Sequence, residues 1–236
     1  MRWGQYFTSA IGKKLVMAFT GIFLIIFLIV HASANACIFV PDHGATFNKV
    51  AHFLGTNWVM HLLEVGLFIG FILHIVQGIT VTIQNKKKRP VKYSMVRRSD
   101  THWYSSAMGL LGVIILIFLI IHLSQFWIHT RFAGIFGGVG DITYDNGMYV
   151  NMPVDNLFGQ MHLVFSHAWV VIVYLIALIA LGFHLAHGFQ SAFRTLGMTS
   201  SRYIPFIRGI GYAYSIIIPV AFACMPVLMY FDVIHP

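Results

Sequence analysis

Residues 21–33 read GIFLIIFLIVHAS, and residues 112–124 read GVIILIFLIIHLS. In both, a glycine opens an apolar run, His31 or His122 closes it, and Ser33 or Ser124 follows two positions later. A helix made from either run has no polar face, so it belongs in a hydrophobic surround rather than on a water-facing surface. The histidine is the exception. An ionisable side chain inside a membrane is expensive enough to demand a function.

The rest of the chain agrees with that setting. Its 236 residues are 58% hydrophobic and 9% charged, where a soluble domain carries about a quarter charged residues. Five stretches approach the roughly 20 apolar residues that cross a hydrocarbon core of about 30 Å. They read as Lys14 to Ala36, Trp58 to Ile83, Trp103 to Trp127, Met161 to Phe189 and Ile207 to Tyr230. The expected fold is all-α, a single integral membrane bundle over residues 1–236. Met1 to Lys14 precedes a full-length span rather than a short one with a small-residue cleavage site, so the first span is expected to be retained. Pro219 and Pro226 predict a kink in the fifth span, tolerable where neighbours satisfy the freed carbonyls. Residues 128–160, rich in Gly and Asp, read as a cap over the bundle.

Charge orients the spans. Arg2, Lys13 and Lys14, then Lys86, Lys87, Lys88, Arg89, Lys92, Arg97 and Arg98, then Arg194, Arg202 and Arg208, all fall on one side. Lys49 and Arg131 fall on the other with Asp42, Asp141, Asp145, Asp155 and Asp232. The positive-inside rule makes the first side cytoplasmic, which puts the N-terminus inside and the C-terminus outside a bacterial cytoplasmic (inner) membrane. Topology thus accounts for the net charge of +8 without nucleic acid. Trp3, Trp58, Trp103 and Trp127 stand near span ends, as an interfacial belt requires. Cys37 and Cys224 form no CxxC or CxxCH pattern, so covalent haem attachment, zinc-knuckle and iron–sulfur chemistry lack ligands here.

Depth sorts the thirteen histidines. His31 lies about 27 Å of helix from Lys13, and His122 about 28 Å from Trp103, so both sit toward the outer face. His74 lies about 18 Å from Lys86, and His184 about 15 Å from Arg194, so both sit nearer the cytoplasm. Four helices thus supply two pairs of histidines at two levels. A bis-imidazole b haem needs two such ligands from facing helices, so the pattern predicts two stacked, non-covalent b haems. Spans two and four share His-x3-Gly, at His74 to Gly78 and His184 to Gly188. A glycine one turn from the ligand would let a macrocycle lie against the helix. His187 competes with His184 as the fourth ligand, and the shared spacing favours His184. The bland alternative is that the histidines only hydrogen-bond between helices. His43, His52, His129 and His235 read as solvated loop or terminal residues.

Glu64 is the one acid well inside a span, about 15 Å from His74 toward the outer face, and His61 stands one turn before it on the same helix face. Quinol oxidation releases protons with electrons, so its site requires a titratable group and a way out to water. Glu64 and His61 are the candidates for that exchange, with His162 and His167 behind them. The competing reading makes Glu64 an interhelical or headgroup hydrogen-bonding residue.

These motifs resemble the cytochrome b subunit of the succinate dehydrogenase and fumarate reductase family in its single-chain, five-helix, di-haem form. The resemblance rests on His31 in Phe-Leu-Ile-Val-His-Ala-Ser, His74 in Leu-His-Ile-Val-Gln-Gly, His122 in Phe-Leu-Ile-Ile-His-Leu-Ser, and Phe183-His184 followed by Gly188, Ser191 and Leu196-Gly197. It implies a distal haem on His31 and His122, a proximal haem on His74 and His184, and a quinone substrate, with menaquinone expected. It also implies flavoprotein and iron–sulfur partners on the cytoplasmic side, against the basic loops. Some members carry a Glu two residues before the fourth ligand for a transmembrane proton path, and Gly182 stands there instead. The nearest rival is the b subunit of a quinone-linked hydrogenase or formate dehydrogenase. A bc1-type cytochrome b places two ligands on each of two helices at matched spacing, which His61 and His74 against His167 and His184 do not reproduce. A haem-free proton-coupled transporter is the rival of another class.

Overall fold

The computed structural model describes residues 9–87, 102–132, 142–145, 148–151 and 156–235. Helix α1 spans Ala10–Asn35 and runs into a 3-10 turn at Ala36–Phe39. Next come α2 (Ala45–Thr56), α3 (Trp58–Lys87), the single turn α4 (Trp103–Ser106) and α5 (Met108–His122). A π-helical turn at Leu123–Ile128 carries α5 on into α6 (His129–Phe132). Strands β1 (Ile142–Asp145) and β2 (Met148–Asn151) pair antiparallel, with Ile142 opposite Asn151 and Asp145 opposite Met148. Helices α7 (Leu157–Phe165), α8 (Ala168–Thr195) and α9 (Ile204–Tyr230) follow.

Among the described residues five helical stretches are long and apolar enough to cross a membrane: Ile11–Phe39, Trp58–Lys87, Met108–Phe132, Ala168–Thr195 and Ile204–Tyr230. Ile26, Ile72, Ile117, Ile179 and Ile216, one on each, are 55% exposed or more. Apolar surface of that extent is at home in lipid. The chain is a multi-pass membrane protein.

Several span ends differ from the sequence reading, the starts of the third and fourth spans most of all. The third span starts at Met108 rather than Trp103, because Ser106 donates its hydroxyl to the Trp103 carbonyl at 2.7 Å and closes a separate turn. The fourth starts at Ala168 rather than Met161. Ser166 donates to the Leu163 carbonyl at 2.7 Å, and the His167 carbonyl then starts a new helix by accepting from Val170 and Val171 at 3.0 and 3.3 Å. The interval before the second span holds the helix α2, so His52 is helical, as is His129 in α6. Helix α9 continues through Pro219 and Pro226. The basic loop from Lys88 to Arg98, together with Arg2, Trp3, Asp141 and Asp155, lies outside the described residues.

The chain divides into two compact units, and each of the five spans contributes to both. The first comprises Met1–Leu28, Leu63–Ile114 and Ala180–Ile217. Its core is Ile25, Leu185, Phe189 and Ile207, and the Tyr214 hydroxyl donates to the Ile25 carbonyl at 2.7 Å. The second comprises Ile29–Leu62, Ile115–Ile179 and Ile218–Pro236, with a core that includes Ile38, Phe47, Phe158, Phe165 and Met229. Phe158 packs on Gly44, whose φ of +79° turns the chain into α2; a Cβ there would lie 2.2 Å from the ring. Only glycine meets both demands. Asn48 secures the same corner, accepting from the Phe158 amide and donating to Asn156, both at 2.9 Å.

Candidate functional site

In the first unit, α3 and α8 bring His74 and His184 together, with ring centres 6.2 Å apart and planes at 64°. A Cβ built on Gly21 of α1 would lie 3.7 Å from His74 Cε1, and one on Gly112 of α5 would lie 4.0 Å from His184 Cε1. The two glycines that open the repeated runs therefore flank this pair. His74 Nδ1 lies 3.1 Å from the Thr20 hydroxyl, whereas His184 Nδ1 is buried without a hydrogen-bond partner among the described residues. His187 is half-buried, within electrostatic reach of Arg194 and His102. The structure thus sets His184 opposite His74.

In the second unit, α1 and α5 bring His31 and His122 to 5.9 Å between ring centres, with planes at 86°. Their surround is aromatic: Phe222 lies 5.4 Å from His31, and Phe118 and Phe126 lie 5.4 and 5.3 Å from His122. His122 Nδ1 is 3.3 Å from the Tyr174 hydroxyl, which donates at 2.7 Å to Gln125 Oε1. Gln125 belongs to the π-helical turn that begins immediately after His122, a distortion often found at functional sites. At His31, Asn35 Nδ2 donates to the residue's own carbonyl at 2.8 Å and lies 3.4 Å from Nδ1.

Both separations suit a metal held between two imidazoles. Metal–nitrogen bonds of about 2 Å on each side, with about 1 Å from each nitrogen to its ring centre, put the ring centres about 6 Å apart. A pair of histidines with apolar and aromatic neighbours would supply two ligands and little else, which fits a macrocycle that brings four nitrogens of its own. The glycines fit the same group. Outside the helices' own nearby backbone and among the described residues, a Cβ on Gly188 would meet no atom within 4 Å, and one on Gly78 only Met17 Cε at 3.9 Å, so packing among these residues does not explain either glycine.

Glu64 is half-buried on α3. His61, in the first turn of α3, is exposed, and its Nδ1 lies 3.2 Å from Arg131 Nη2, while Arg131 Nη1 donates to the Gly55 carbonyl at 3.1 Å. A guanidinium has donors only, so this nitrogen of His61 accepts. His162, outside the spans, contacts Asp232 at 3.1 Å, and His167 bonds locally to Ser166.

Thr20, Gln125 and Tyr174 carry no role in the sequence motifs, and Gly21 and Gly112 enter them only as the first residues of the repeated runs. Signals for three of them were present. Gly21 and Gly112 stand in register in the repeat, and Tyr174 precedes His184 by the same ten residues that separate Glu64 from His74. No family model, curated protein or solved structure matches the chain.

Proposed function

We propose that this chain is the membrane-anchor cytochrome b subunit of a succinate:quinone or quinol:fumarate oxidoreductase, with one b haem on His31 and His122 and another on His74 and His184. The observation that supports it is the pairing of four histidines from four spanning helices into two couples at the spacing of two in-line metal–imidazole bonds. A bound haem supplies reversible one-electron storage. His31, His122, His74 and His184 would hold such haems, Phe118, Phe126 and Phe222 would exclude water from one of them, and Gly78 and Gly188 would leave helix faces bare beside the other.

On this reading the electrons pass between a quinone, expected to be menaquinone, and flavoprotein and iron–sulfur subunits that carry the dicarboxylate chemistry. Glu64 and His61 exchange the quinone's protons. The N-terminus and basic loops face the bacterial cytoplasm, where those partners dock.

The purified full-length chain tests this. It should show a Soret band and two low-spin, non-covalent haems per polypeptide. His31→Ala or His122→Ala should remove one haem and His74→Ala or His184→Ala the other, with His187→Ala retaining both. A haem-free chain, or one haem per chain, refutes the proposal. Loss of a haem from His187→Ala but not from His184→Ala overturns the ligand assignment.

A further inference from the structure

We propose, building on the haem reading above, that Thr20 and Tyr174 are positioning residues that hold the proton of His74 and His122 on Nδ1. Each thereby turns that histidine's Nε2 lone pair toward the iron and lowers the potential of the haem it ligates.

The direction of each hydrogen bond follows from counting protons. The Thr20 hydroxyl has one, and its shortest contact is the Val16 carbonyl at 2.7 Å, an acceptor that can take nothing else. What Oγ1 turns toward His74 Nδ1, 3.1 Å away, is therefore a lone pair, and the nitrogen must bring the hydrogen. Tyr174 repeats the arrangement. Its proton goes to Gln125 Oε1 at 2.7 Å, so its oxygen accepts from His122 Nδ1 at 3.3 Å. Both oxygens belong to buried residues, Thr20 at 9% and Tyr174 at 5% exposure, where water does not compete for the bond.

A neutral imidazole with its hydrogen on Nδ1 has its free electron pair on Nε2. Such a bond also raises the ligand's basicity, which favours ferric over ferrous iron.

The two ligands of the first unit differ in this respect. His184 Nδ1 is buried and has no hydrogen-bond partner among the described residues. Where the first repeated run is preceded by Thr20, the second is preceded by the apolar Leu111. One ligand of that pair is braced and the other is not, a difference written into an otherwise repeated sequence.

The test is a spectroelectrochemical titration of the haem-loaded full chain with Thr20→Val, Thr20→Ser and Tyr174→Phe. Thr20→Val keeps the shape and removes the acceptor. It should shift one haem's ferric-to-ferrous ratio at fixed potential about tenfold toward ferrous, or about 59 mV upward for a one-electron couple. Thr20→Ser should restore the wild-type potential, and Tyr174→Phe should shift the other haem alone. Unchanged potentials in Thr20→Val and Tyr174→Phe overturn the inference while the haem reading stands. So does a shift that Thr20→Ser fails to reverse, which would point to packing. Should Thr20→Val lose its haem, Thr20→Ser must still match wild type, and a failure there also overturns it. A wild-type chain without a Soret band overturns both proposals.

Discussion

Gly188→Leu separates a helix that merely contains a glycine from one that seats a macrocycle. Gly188 lies in the interior of α8, one turn after His184, and outside the helix's own nearby backbone a Cβ there would meet no atom of the described residues within 4 Å. Judged on the protein alone the substitution is favourable. Leucine ranks next after alanine in helix propensity, and alanine exceeds glycine by about 0.8–1.0 kcal/mol, so the gain in a local equilibrium is somewhat below roughly four- to fivefold. With a haem against that face the expectation reverses, because the leucine side chain occupies the surface the ring would cover. The variant should therefore accumulate in membranes at wild-type level and unfold in detergent no earlier than wild type stripped of haem. It should nevertheless carry one haem fewer, the missing one being that of His74 and His184. Haem per polypeptide from a pyridine haemochrome spectrum, with thermal unfolding of haem-stripped samples alongside, reads both arms. A Gly188→Leu chain with its full haem complement would refute the claim that this helix face is a haem seat.

Three further outcomes are expected. Leu111→Thr places a hydroxyl at the register of Thr20, and if it reaches His184 Nδ1 as Thr20 reaches His74, redox titration should show that haem's potential falling while the other stays fixed. Glu64→Gln keeps size and hydrogen bonding but cannot cycle a proton, so quinol-linked turnover should fall roughly a hundredfold with both haems retained; unchanged turnover would remove Glu64 from the proton path. Asp42 accepts from the Thr46 hydroxyl at 2.5 Å and the Thr46 amide at 2.9 Å, and the hydroxyl bond foremost holds its carboxyl below the usual value. A depressed folded value stabilises above the unfolded value of about 3.9 and loses that effect as pH falls through the lower, folded one. The thermal deficit of Asp42→Asn should accordingly be constant near neutral pH and vanish in acid.

Hydrophobicity alone determined that this chain crosses a membrane five times, because a backbone in hydrocarbon must satisfy its own hydrogen bonds and only long apolar runs can do so as helices. The periodic rise of a helix likewise led to the expectation of two histidine pairs, and the structure brings His31 to His122 and His74 to His184. The ends of the spans were less legible. At Ser106 and Ser166 a hydroxyl competes with the helix for a carbonyl, and that choice depends on surroundings the composition of the run does not record.

Choosing between His184 and His187 lay beyond periodicity too. Three residues advance a helix by about 300°, leaving both side chains on neighbouring faces, and only the rotation of α8 against α3 sets one ring opposite His74. The same holds for the groups that touch the imidazoles. Thr20 and His74 are 54 residues apart, and His122 and Tyr174 are 52 apart. Which nitrogen carries a proton is settled by contacts between helices, which a sequence read along one helix at a time does not contain.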